Sequence, residues 1–568
     1  HQRSIDNKMK IDYIPEVKKY QIIIPWEDGE KPNFRCNRLP VRARQEGHIR
    51  KLSDDQRAKV DEIFQGYLEK DYIRPLEPDE IQDQDSRYLP YFCVVNEQKE
   101  TTPVRVVWDC RAVYYGKSLN SEIEETPNRL QDLFKVLLRL RKFEFTLTAD
   151  VSEMFLRVLL NPKDRRYHRF IHETKDYEWK SMLFGNASSP NASQKVFATL
   201  CQDFGSPYPE ATETLTKSFY MDDASDSRPT EAQTLTLANE LVELLQKATM
   251  TIRKFYSNSP LVLKTLHPDL LAKQVTIGPE DEVNIEQSKI LGMRYNAGAN
   301  EDFLSYNGRF KSIREWTNSS GTTKVEQGQW TKRKIARAAA SIYDPHGLIS
   351  PFTVRSKIIL QEIWKIPELT WDDKIPDDIS EAWEQWLEQV FVIQDLQIPR
   401  WTHFEPKTTT QVHTFCDASE QGMCVAVYLR VKKRQKVYTT LLAAKARVSP
   451  LRAESISRLE LVACTMGVRL SHAVREVYPV KPEDTFYWTD SMVCLHWIFT
   501  PSKAFKAYVA HRVGEIQNFT EPRQWKHVPS KQNPADVGTR EITATELKTS
   551  QLWWEGPDFL KLPHTEWP

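Results

Sequence analysis

The sequence predicts an α+β protein of several domains that ends in a separate α/β domain. The chain has 568 residues, enough for about three or four domains of roughly 100–200 residues each. Strand-like and helical patterns follow one another irregularly over the first part of the chain. Residues 411–540 then interleave strand patterns with helical patterns, which is typical of an α/β domain.

Composition excludes several classes of protein. The 78 Lys and Arg residues equal the 78 Asp and Glu residues, which excludes a wholly basic nucleic-acid binder but not local basic patches. No stretch approaches about 18 consecutive apolar residues, so we expect no membrane span. The eight cysteines are spread singly without C-x-x-C, which predicts a reducing compartment and no zinc. Because the chain begins at His1, we expect a piece of a longer protein.

The first elements are predicted to be an arm, a helix and a hairpin. Residues 1–50 are polar and predict an irregular arm, apart from a strand-like run at Tyr20–Trp26. From Ser53 the pattern is that of a capped amphipathic helix. The runs at 91–95 and 104–108 predict two strands joined by a charged turn, so we expect a hairpin that carries basic residues.

Two further elements place carboxylates at strand ends. Residues 143–155 alternate apolar side chains and change character after Asp150, which predicts a core strand that ends near this aspartate. Residues 218–225 predict a hairpin with Asp222 and Asp223 at its tip. The interval between the two elements leaves room for a helix and two strands, so neighbouring strands can bring the three carboxylates together.

Three carboxylates of this kind suit nucleotidyl transfer. That reaction uses two divalent cations between the attacking 3′-oxygen and the triphosphate, and Mg²⁺ requires oxygen ligands. A lone Asp-Asp pair is more often a solvated turn, so the pair alone leaves both interpretations open.

The surrounding residues resemble the catalytic motifs of reverse transcriptases. The string YMDD at 220–223 resembles their Y-x-D-D box, and LTAD at 147–150 followed by Phe155 resembles their first catalytic motif. The resemblance implies that Phe155 is a steric gate that selects deoxynucleotides. It also implies three catalytic acids and a further metal ligand, namely Asp150, Asp222, Asp223 and Val151.

The same resemblance implies a nucleotide pocket. Arg105 matches the fingers arginine that holds the triphosphate, a task that a planar guanidinium suits, and Lys99 is a candidate for a second phosphate contact. The string LFG at 183–185 resembles the motif beneath the templating pair, where Gly185 would allow close backbone approach to the substrate. Phe184 stands where retroviral enzymes usually have Gln. The implied substrate-binding residues are Arg105, Lys99, Phe155, Phe184, Gly185, Tyr220 and Met221.

A second set of acids lies in the C-terminal α/β domain. Asp417 lies in TFCDAS, Glu460 in SRLELVAC, Asp490 in YWTDS and Asp536 in NPADVGTR. Each alone is more often a surface residue or a helix cap. In this order they resemble ribonuclease H, which implies metal-dependent hydrolysis of the RNA in an RNA–DNA hybrid. The histidine that many relatives carry before the last aspartate is absent from VPSKQNPAD.

The segment between the two sets of acids is basic. Residues 331–365 contain seven Lys and Arg residues against two acidic residues. A solvated helix face and a track for phosphates are both open interpretations of such a segment. The predicted nucleic-acid-binding residues are Arg333, Lys334, Arg337, Arg355 and Lys357.

Several short strings narrow the resemblance to one kind of element. They are YLP at 88–90, SLN at 118–120, LGM at 291–293 and YDPHGL at 343–348. Together they resemble the pol polyprotein of BEL/Pao-type LTR retrotransposons over roughly residues 20–560. The chain has no D-T-G or D-S-G triplet, so we expect no aspartic protease, and Arg111 at the required glycine position excludes a P-loop.

The resemblance implies a right-hand polymerase (fingers, palm, thumb) with a connection, followed by an α/β ribonuclease H-like domain. The predicted domains are an N-terminal arm (1–50), fingers (51–142), palm (143–300, with a fingers insertion near 160–185), thumb/connection (301–405), a ribonuclease H-like domain (406–545) and a C-terminal tail (546–568).

The resemblance also implies cofactors and partners. We expect two Mg²⁺ (or Mn²⁺) ions per active site and no zinc, with RNA template, DNA primer, RNA–DNA hybrid and dNTPs as partners. The natural context would include protease, integrase and gag of the parent element, in cytoplasmic virus-like particles, with a later nuclear step also open. Monomer and dimer remain open. The alternative function is a domesticated, catalytically silent nucleic-acid-binding or assembly protein that retains the fold.

Overall fold

The computed structural model describes residues 9–29, 31–95, 104–279, 282–298, 301–306, 330–540 and 542–568. Helices and strands are mixed along these residues. No helix within these ranges has both the length and the apolar character needed to cross a membrane.

Most strands are short, and the longest lie in the C-terminal part of the chain. In chain order they are β1 (Lys10–Ile14), β2 (Lys19–Ile23), β3 (Ile73–Pro75), β4 (Tyr91–Val95), β5 (Val104–Trp108), β6 (Phe145–Ser152), β7 (Leu159–Leu160), β8 (Arg169–His172), β9 (Lys175–Trp179), β10 (Phe219–Tyr220), β11 (Asp223–Arg228), β12 (Thr251–Tyr256), β13 (Val275–Ile277), β14 (Val283–Ile285), β15 (Ser288–Ile290), β16 (Met293–Asn296), β17 (Phe303–Ser305), β18 (Ile398–Pro399), β19 (Thr409–Ala418), β20 (Gly422–Lys433), β21 (Lys436–Val448), β22 (Thr485–Thr489) and β23 (Trp525–His527).

The α-helices range from a single turn to twenty residues. In chain order they are α1 (Arg38–Ile49), α2 (Asp54–Glu69), α3 (Leu133–Lys142), α4 (Pro162–Arg165), α5 (Ser189–Phe204), α6 (Pro209–Lys217), α7 (Glu231–Gln246), α8 (Pro260–Thr265), α9 (Lys332–Ala340), α10 (Ser350–Trp364), α11 (Asp377–Glu388), α12 (Val390–Gln394), α13 (Ile456–Arg475), α14 (Met492–Phe499), α15 (Ala507–Phe519), α16 (Ala544–Thr549) and α17 (Gln551–Glu555).

The chain divides into two compact units, each built from several segments. The first unit consists of residues 1–131, 149–224 and 235–254. The second consists of residues 132–148, 225–234 and 255–568.

A four-stranded sheet with the order β10-β11-β6-β12 carries the first set of acids. β10 and β11 form a hairpin in which Phe219 pairs with Ala224 and Tyr220 pairs with Asp223. The predicted hairpin is therefore confirmed. Its tip holds Asp222, whereas Asp223 is already the first residue of β11.

The first unit also contains the predicted helix and basic hairpin. Ser53 caps α2 through a capping box: its Oγ accepts the N–H of Gln56, whose side chain accepts the N–H of Ser53 in return. The helix buries Val60 and Phe64. β4 and β5 pair in antiparallel fashion, as the two runs of strand-forming residues predicted.

The N-terminal residues are not the irregular arm that the sequence predicted. β1 and β2 form an antiparallel hairpin, and α1 follows within the same fifty residues. α1 is polar apart from a few apolar side chains, so periodicity did not reveal it. Tertiary contacts stabilise it, because Val41 is buried and the buried Gln45 accepts the N–H of Tyr91 (3.2 Å).

The second unit contains the predicted α/β domain as a five-stranded sheet. Its strand order is β21-β20-β19-β22-β23, with β19 and β22 parallel and β19, β20 and β21 antiparallel. α13 lies close to β19, because a Cβ on Gly467 would be 2.5 Å from Sγ of Cys416. After Thr331 the chain forms the helices α9, α10, α11 and α12.

A buried arginine organises the backbone just before β19. Arg400 is fully buried and pairs with Asp302, with 2.6 Å between Nη2 and Oδ2. It also donates to the carbonyl oxygens of Leu140 (2.9 Å), Phe143 (2.6 Å) and Glu144 (2.5 Å). A buried charge is tolerated when it is paired and fully hydrogen-bonded, and this guanidinium meets both conditions.

Candidate active sites

The first candidate site lies where β6 meets the β10–β11 hairpin. β6 and β11 are neighbours in one sheet, and the N–H of Val151 donates to the carbonyl oxygen of Asp222 (2.8 Å). Asp150, the residue before Val151, therefore lies across from the hairpin that carries Asp222 and Asp223. The sheet brings together three carboxylates that are far apart along the chain.

Burial and mutual repulsion raise the pKa values of the hairpin carboxyls. For Asp223 burial is the larger cause, followed by the charges of Asp222 and Asp150, and together they raise its pKa to about 7. Burial also raises the pKa of Asp222, and Asp150 adds to that shift. Lys254 opposes both shifts, and its Nζ lies 3.1 Å from Oδ1 of Asp150. The site concentrates negative charge that a bound cation would stabilise.

The chemistry of these donors fits a divalent cation. Carboxylate oxygens are the ligands that Mg²⁺ prefers, and the mutual repulsion of the carboxyls is only partly relieved by the protein itself. Among the described residues, no group of three or more His, Cys, Asp or Glu side chains stands ready in metal-binding geometry. The sheet brings the carboxylates together. The assignment of metal ligands, Val151 included, stays a prediction.

Sequence reasoning missed Lys254. This lysine lies in β12, the other neighbour of β6 in the sheet, and its backbone adopts a positive φ of 59°. No motif in the sequence singles it out. Only the strand order places its ammonium group beside Asp150.

Two aromatic rings of the first unit, those of Phe155 and Phe184, contact each other. Phe155 lies in a 3-10 turn, Met154–Arg157, that follows β6, and its side chain is 5% exposed. It contacts Phe184 edge to face, with 4.8 Å between the ring centroids. Phe184 is 53% exposed. Phe155, the predicted steric gate, is thus a buried ring that packs against the exposed ring of Phe184.

Gly185 is required by a contact within the protein. Its φ is +102°, and a Cβ there would lie 2.7 Å from the carbonyl oxygen of Trp108 in β5. The sequence predicted a close backbone approach to the substrate at this position. The observed close approach is to the carbonyl oxygen of Trp108. This contact restricts the position of the backbone turn that follows Phe184.

Three further substrate candidates lie on the β10–β11 and β4–β5 hairpins. Met221 at the tip has a φ of +58°, and its carbonyl oxygen accepts from Nε2 of Gln194 (3.3 Å). Tyr220 is half-buried in β10. Arg105 is exposed on β5. Lys99 lies outside the described residues.

The second candidate site lies at one end of the five-stranded sheet. Asp417 lies in β19 and Asp490 directly follows β22, and these strands are parallel, so both acids lie at the same edge of the sheet. Glu460 lies in the first turns of α13, and Asp536 lies in the 3-10 helix Pro534–Gly538.

The four acids act on one another electrostatically. Burial is the first cause that raises the pKa of Asp417 to about 7, and the charges of Asp490, Asp536 and Glu460 add to it. Burial also raises the pKa values of Glu460 and Asp536, with Asp490 contributing to both shifts. This mutual effect shows that the fold gathers the four carboxylates into one group.

Hydroxyl groups beside these acids had no motif of their own. Thr539 Oγ1 donates to Oδ2 of Asp417 (2.5 Å), and Ser530 Oγ donates to Oδ2 of Asp490 (2.6 Å). Ser530 lies in VPSKQNPAD, the loop in which many ribonuclease H relatives carry a histidine. This hydroxyl therefore contacts a candidate catalytic acid from that loop.

Two further polar side chains hold the remaining acids. Ser491 donates to the carboxylate of Glu460 and accepts the N–H of Cys494 (3.2 Å), so it also caps α14. Arg540 Nε donates to Oδ1 of Asp536 (2.7 Å). Each of the four acids thus has a hydroxyl or guanidinium partner that restricts its rotamer.

Two of the basic residues of α9 are exposed on one helical face. Arg333 and Arg337 are both exposed, and Arg333 donates to both oxygens of Asp372 (2.8 and 3.0 Å). Exposed ion pairs contribute little to stability, so this guanidinium can exchange its partner. The other predicted residues are Lys334 and Arg355, which are half-buried, and Lys357, which is exposed.

Comparison with protein families identifies part of the chain. Residues 331–491 match the model described as the Pao retrotransposon-like RNaseH-like domain. This segment is similar to the domain that the family model describes. Of the second group of acids, Asp417, Glu460 and Asp490 lie within the matched segment and Asp536 follows it. The predicted relationship to the reverse transcriptase and ribonuclease H region of a Pao-type retrotransposon is confirmed.

Solved structures with a similar fold include the foamy viral protease-reverse transcriptase. For its complex with an RNA/DNA hybrid the TM-score is 0.51 at 13% identity, over 84% of this chain and 54% of that chain. For its complex with dsDNA the TM-score is 0.53 at 14% identity, over 84% of both chains. At such identity the likeness shows the fold alone, which is the mixed α/β fold of a retroviral reverse transcriptase with ribonuclease H. Comparison with curated proteins finds no match.

Proposed function

We propose that the chain is a reverse transcriptase with ribonuclease H activity that serves retrotransposon replication. The observation that carries the proposal is the coupled group of Asp150, Asp222 and Asp223 on adjacent strands, in which the pKa of Asp223 is raised to about 7. In this proposal the chain is a right-hand polymerase with fingers, palm and thumb, joined through a connection to the ribonuclease H-like domain.

The polymerase site would select and hold a deoxynucleotide. Asp150, Val151, Asp222 and Asp223 would hold two Mg²⁺ or Mn²⁺ ions, which when bound stabilise negative charge on the triphosphate and on the attacking oxygen. The ring of Phe155 would exclude a ribose 2′-hydroxyl. Arg105, Lys99 and the backbone near Gly185 would orient the triphosphate and the base pair.

The nuclease site would cleave the RNA of the hybrid. The four acids Asp417, Glu460, Asp490 and Asp536 would hold two ions of the same kind, which when bound activate water and stabilise the leaving oxygen. Thr539, Ser530 and Ser491 orient three of these acids through the hydrogen bonds described above. Their contribution is to keep the carboxylates fixed before any ion binds.

The proposed partners are RNA template, DNA primer, RNA–DNA hybrid and dNTPs. The foamy viral enzyme with a similar fold binds an RNA/DNA hybrid and dsDNA. The exposed face of α9 with Arg333 and Arg337 supports a phosphate track, for which binding would weaken as salt increases. We place the protein in cytoplasmic particles together with the protease, integrase and gag of its element.

Primer extension on an RNA template with Mg²⁺ or Mn²⁺ tests the proposal. The wild type should incorporate dNTPs, and Asp222→Asn/Asp223→Asn should lose this activity because only Asp150 of the three carboxylates then remains to bind the ions. A matched control, Asp12→Asn/Asp79→Asn, removes the same number of charges from exposed positions of the first unit and should retain activity.

Two results would contradict the proposal. Equal extension by the wild type and the Asp222→Asn/Asp223→Asn variant would reject the polymerase site. Hybrid binding without any extension would favour the catalytically silent nucleic-acid-binding protein instead.

A further inference from the structure

The turn 183–189 carries both Phe184 and Gly185, and hydrogen bonds hold it from two sides. On one side Asn120 donates from Nδ2 to the carbonyl oxygen of Gly185 (2.9 Å). Oδ1 of the same side chain accepts the N–H of Ala187 (3.0 Å). Asn120 is half-buried and therefore closes this side of the turn near the surface.

On the inner side Asn186 uses every polar group of its side chain. It is 3% exposed, and its Nδ2 lies 2.9 Å from Nε2 of His168. Its Oδ1 accepts both the N–H and the Oγ–H of Ser188, at 2.9 and 2.7 Å. His168 is fully buried, and its Nδ1 lies 2.9 Å from the carbonyl oxygen of Asp164. The turn is thus tied to the interior of the first unit.

Only one protonation state of His168 satisfies these contacts. The carbonyl oxygen of Asp164 can only accept, so Nδ1 must carry the proton. Nε2 is then the acceptor for the amide of Asn186. Burial lowers the pKa of His168 to about 4, so the ring stays neutral near pH 7. The donor and the acceptor of each of these hydrogen bonds are therefore fixed. The side-chain amide of Asn186 has one orientation that satisfies them.

Phe184 faces outward from this turn, as do Gly185 and Ala187. Its ring is 53% exposed, whereas Asn186 and Ser188 are buried. Its one described ring contact is with Phe155, the proposed sugar gate, at 4.8 Å. Because hydrogen bonds fix the backbone that directly follows Phe184, the position of the ring depends on the buried amide of Asn186 and the imidazole of His168.

We propose that Asn186, backed by His168, is a positioning residue that sets nucleotide affinity and sugar selection by fixing Phe184 against Phe155. The inference rests on the proposed polymerase function. A displacement of about 1 Å at a reacting site can cost roughly a hundred-fold in rate, so a buried amide that acts only through Phe184 can still affect how the nucleotide is held and used.

Asn37 offers a matched control. It is 2% exposed and lies in the same unit. Its Nδ2 donates to the carbonyl oxygen of Tyr88 (2.9 Å), and its Oδ1 accepts the N–H of Tyr88 (2.7 Å). Asn37→Leu therefore removes comparable buried hydrogen bonds without removing any that hold the turn.

The experiment measures KM and kcat for dTTP, the preference for dTTP over UTP, and hybrid cleavage in four variants. Asn186→Leu and His168→Leu should raise KM for dTTP about ten-fold and lower the sugar preference, with a smaller change in kcat. His168→Gln keeps a donor and an acceptor, so it should remain near the wild type. Asn37→Leu should leave KM and sugar preference unchanged, and all four variants should cleave the hybrid.

The inference is overturned if Asn186→Leu cleaves the hybrid normally and matches Asn37→Leu in KM and sugar preference. If Asn186→Leu fails to fold, Asn120→Ala replaces it as the test variant, because Asn120 holds the half-buried side of the same turn. The expected result and the contradicting result are the same as for Asn186→Leu.

A binding measurement separates this inference from the proposed function. The affinity of the protein for dTTP is measured on a template with a dideoxy-terminated primer, where no extension occurs. A wild type that binds dTTP but never extends a normal primer contradicts the proposed catalysis, while weaker binding by Asn186→Leu would still support the positioning role. A wild type that neither binds nor extends overturns both.

Discussion

In the proposed polymerase site, Phe155 would determine sugar selection. Its ring is buried and lies edge to face against Phe184, so it has little freedom to move aside for a 2′-hydroxyl. Phe155→Val should lower the preference for dNTPs over rNTPs about ten- to hundred-fold and leave dNTP use largely intact. Steady-state kcat/KM for dTTP and UTP measures the preference. An unchanged ratio would mean that another group reads the sugar.

His168 should also make the stability of the protein depend on pH. Its pKa is about 4 in the folded chain and close to 6.5 in the unfolded chain. Between these values the unfolded chain binds one more proton, so stability rises with pH by up to ~1.4 kcal/mol per unit. This contribution is fully present above about pH 6.5 and is lost as the pH falls toward 4.

His168→Gln removes this titration and keeps a donor and an acceptor. We expect its thermal unfolding midpoint to fall less between pH 7 and pH 5 than that of the wild type. If both proteins lose the same number of degrees, the buried neutral state assigned to His168 is wrong.

At the scale of elements, the turn between α9 and α10 depends on one glycine. Gly347 has a φ of +69°, and a Cβ there would lie 1.9 Å from the carbonyl oxygen of Ala444 in β21. The N–H of Ala444 in turn donates to the carbonyl oxygen of His346 (2.8 Å), so neither backbone can move away alone. The turn is therefore held directly against the edge strand of the sheet.

Gly347→Ala should destabilise the second unit by ~2–5 kcal/mol, since the strained φ and the clash add. Urea unfolding measures the change. Gly514→Ala is the matched control, because Gly514 lies within α15 with no atom closer than 3.7 Å to its added Cβ. That substitution should stabilise the helix by ~1 kcal/mol. Equal effects of the two substitutions would contradict the assigned strain.

Local chemistry made several elements predictable. Ser53 with Gln56 specifies the start of α2, and Thr331 accepts the N–H of Lys334 at the start of α9. The β10–β11 hairpin was also predictable, since its strand-forming residues flank a polar tip. By contrast, α1 could not be predicted, because the burial of Val41 and Gln45 depends on residues far along the chain.

For the whole molecule, the two groups of acids lie in different compact units of the chain. Asp150, Asp222 and Asp223 belong to the first unit, whereas Asp417 and Asp490 belong to the second. We therefore expect the two proposed activities to be separable by single substitutions.

Asp490→Asn should reduce hybrid cleavage by at least about a hundred-fold and leave primer extension within about two-fold of the wild type. The measurement is extension and cleavage on the same labelled hybrid. The exposed Glu483, substituted by Gln, serves as a control for charge in the same domain. Loss of both activities would show that the sites are not independent.

The equal totals of acidic and basic residues also gain a structural meaning. Several acids are committed to the two carboxylate groups, where burial and repulsion raise the pKa values of Asp223 and Asp417 to about 7. Exposed basic residues lie on α9 instead. The net charge of zero is therefore the sum of local acidic groups and local basic groups of residues.

The sequence by itself determined which kind of protein the chain resembles. Seven acids in two ordered sets, an aromatic after the first aspartate and the YDPHGL string indicated a Pao-type reverse transcriptase and ribonuclease H region before any distance was known. Such motifs are short, so what they indicate depends on residues that are neighbours along the chain and needs no knowledge of distant contacts.

Only the tertiary structure decided how the acids are held. Lys254 beside Asp150, Ser530 on Asp490, and the amide of Asn186 on the ring of His168 join residues that no motif links. These contacts depend on strand order and burial, which local periodicity does not encode. For the same physical reason the raised pKa values of the carboxyls could not be predicted, because they follow from distances and loss of water within the fold.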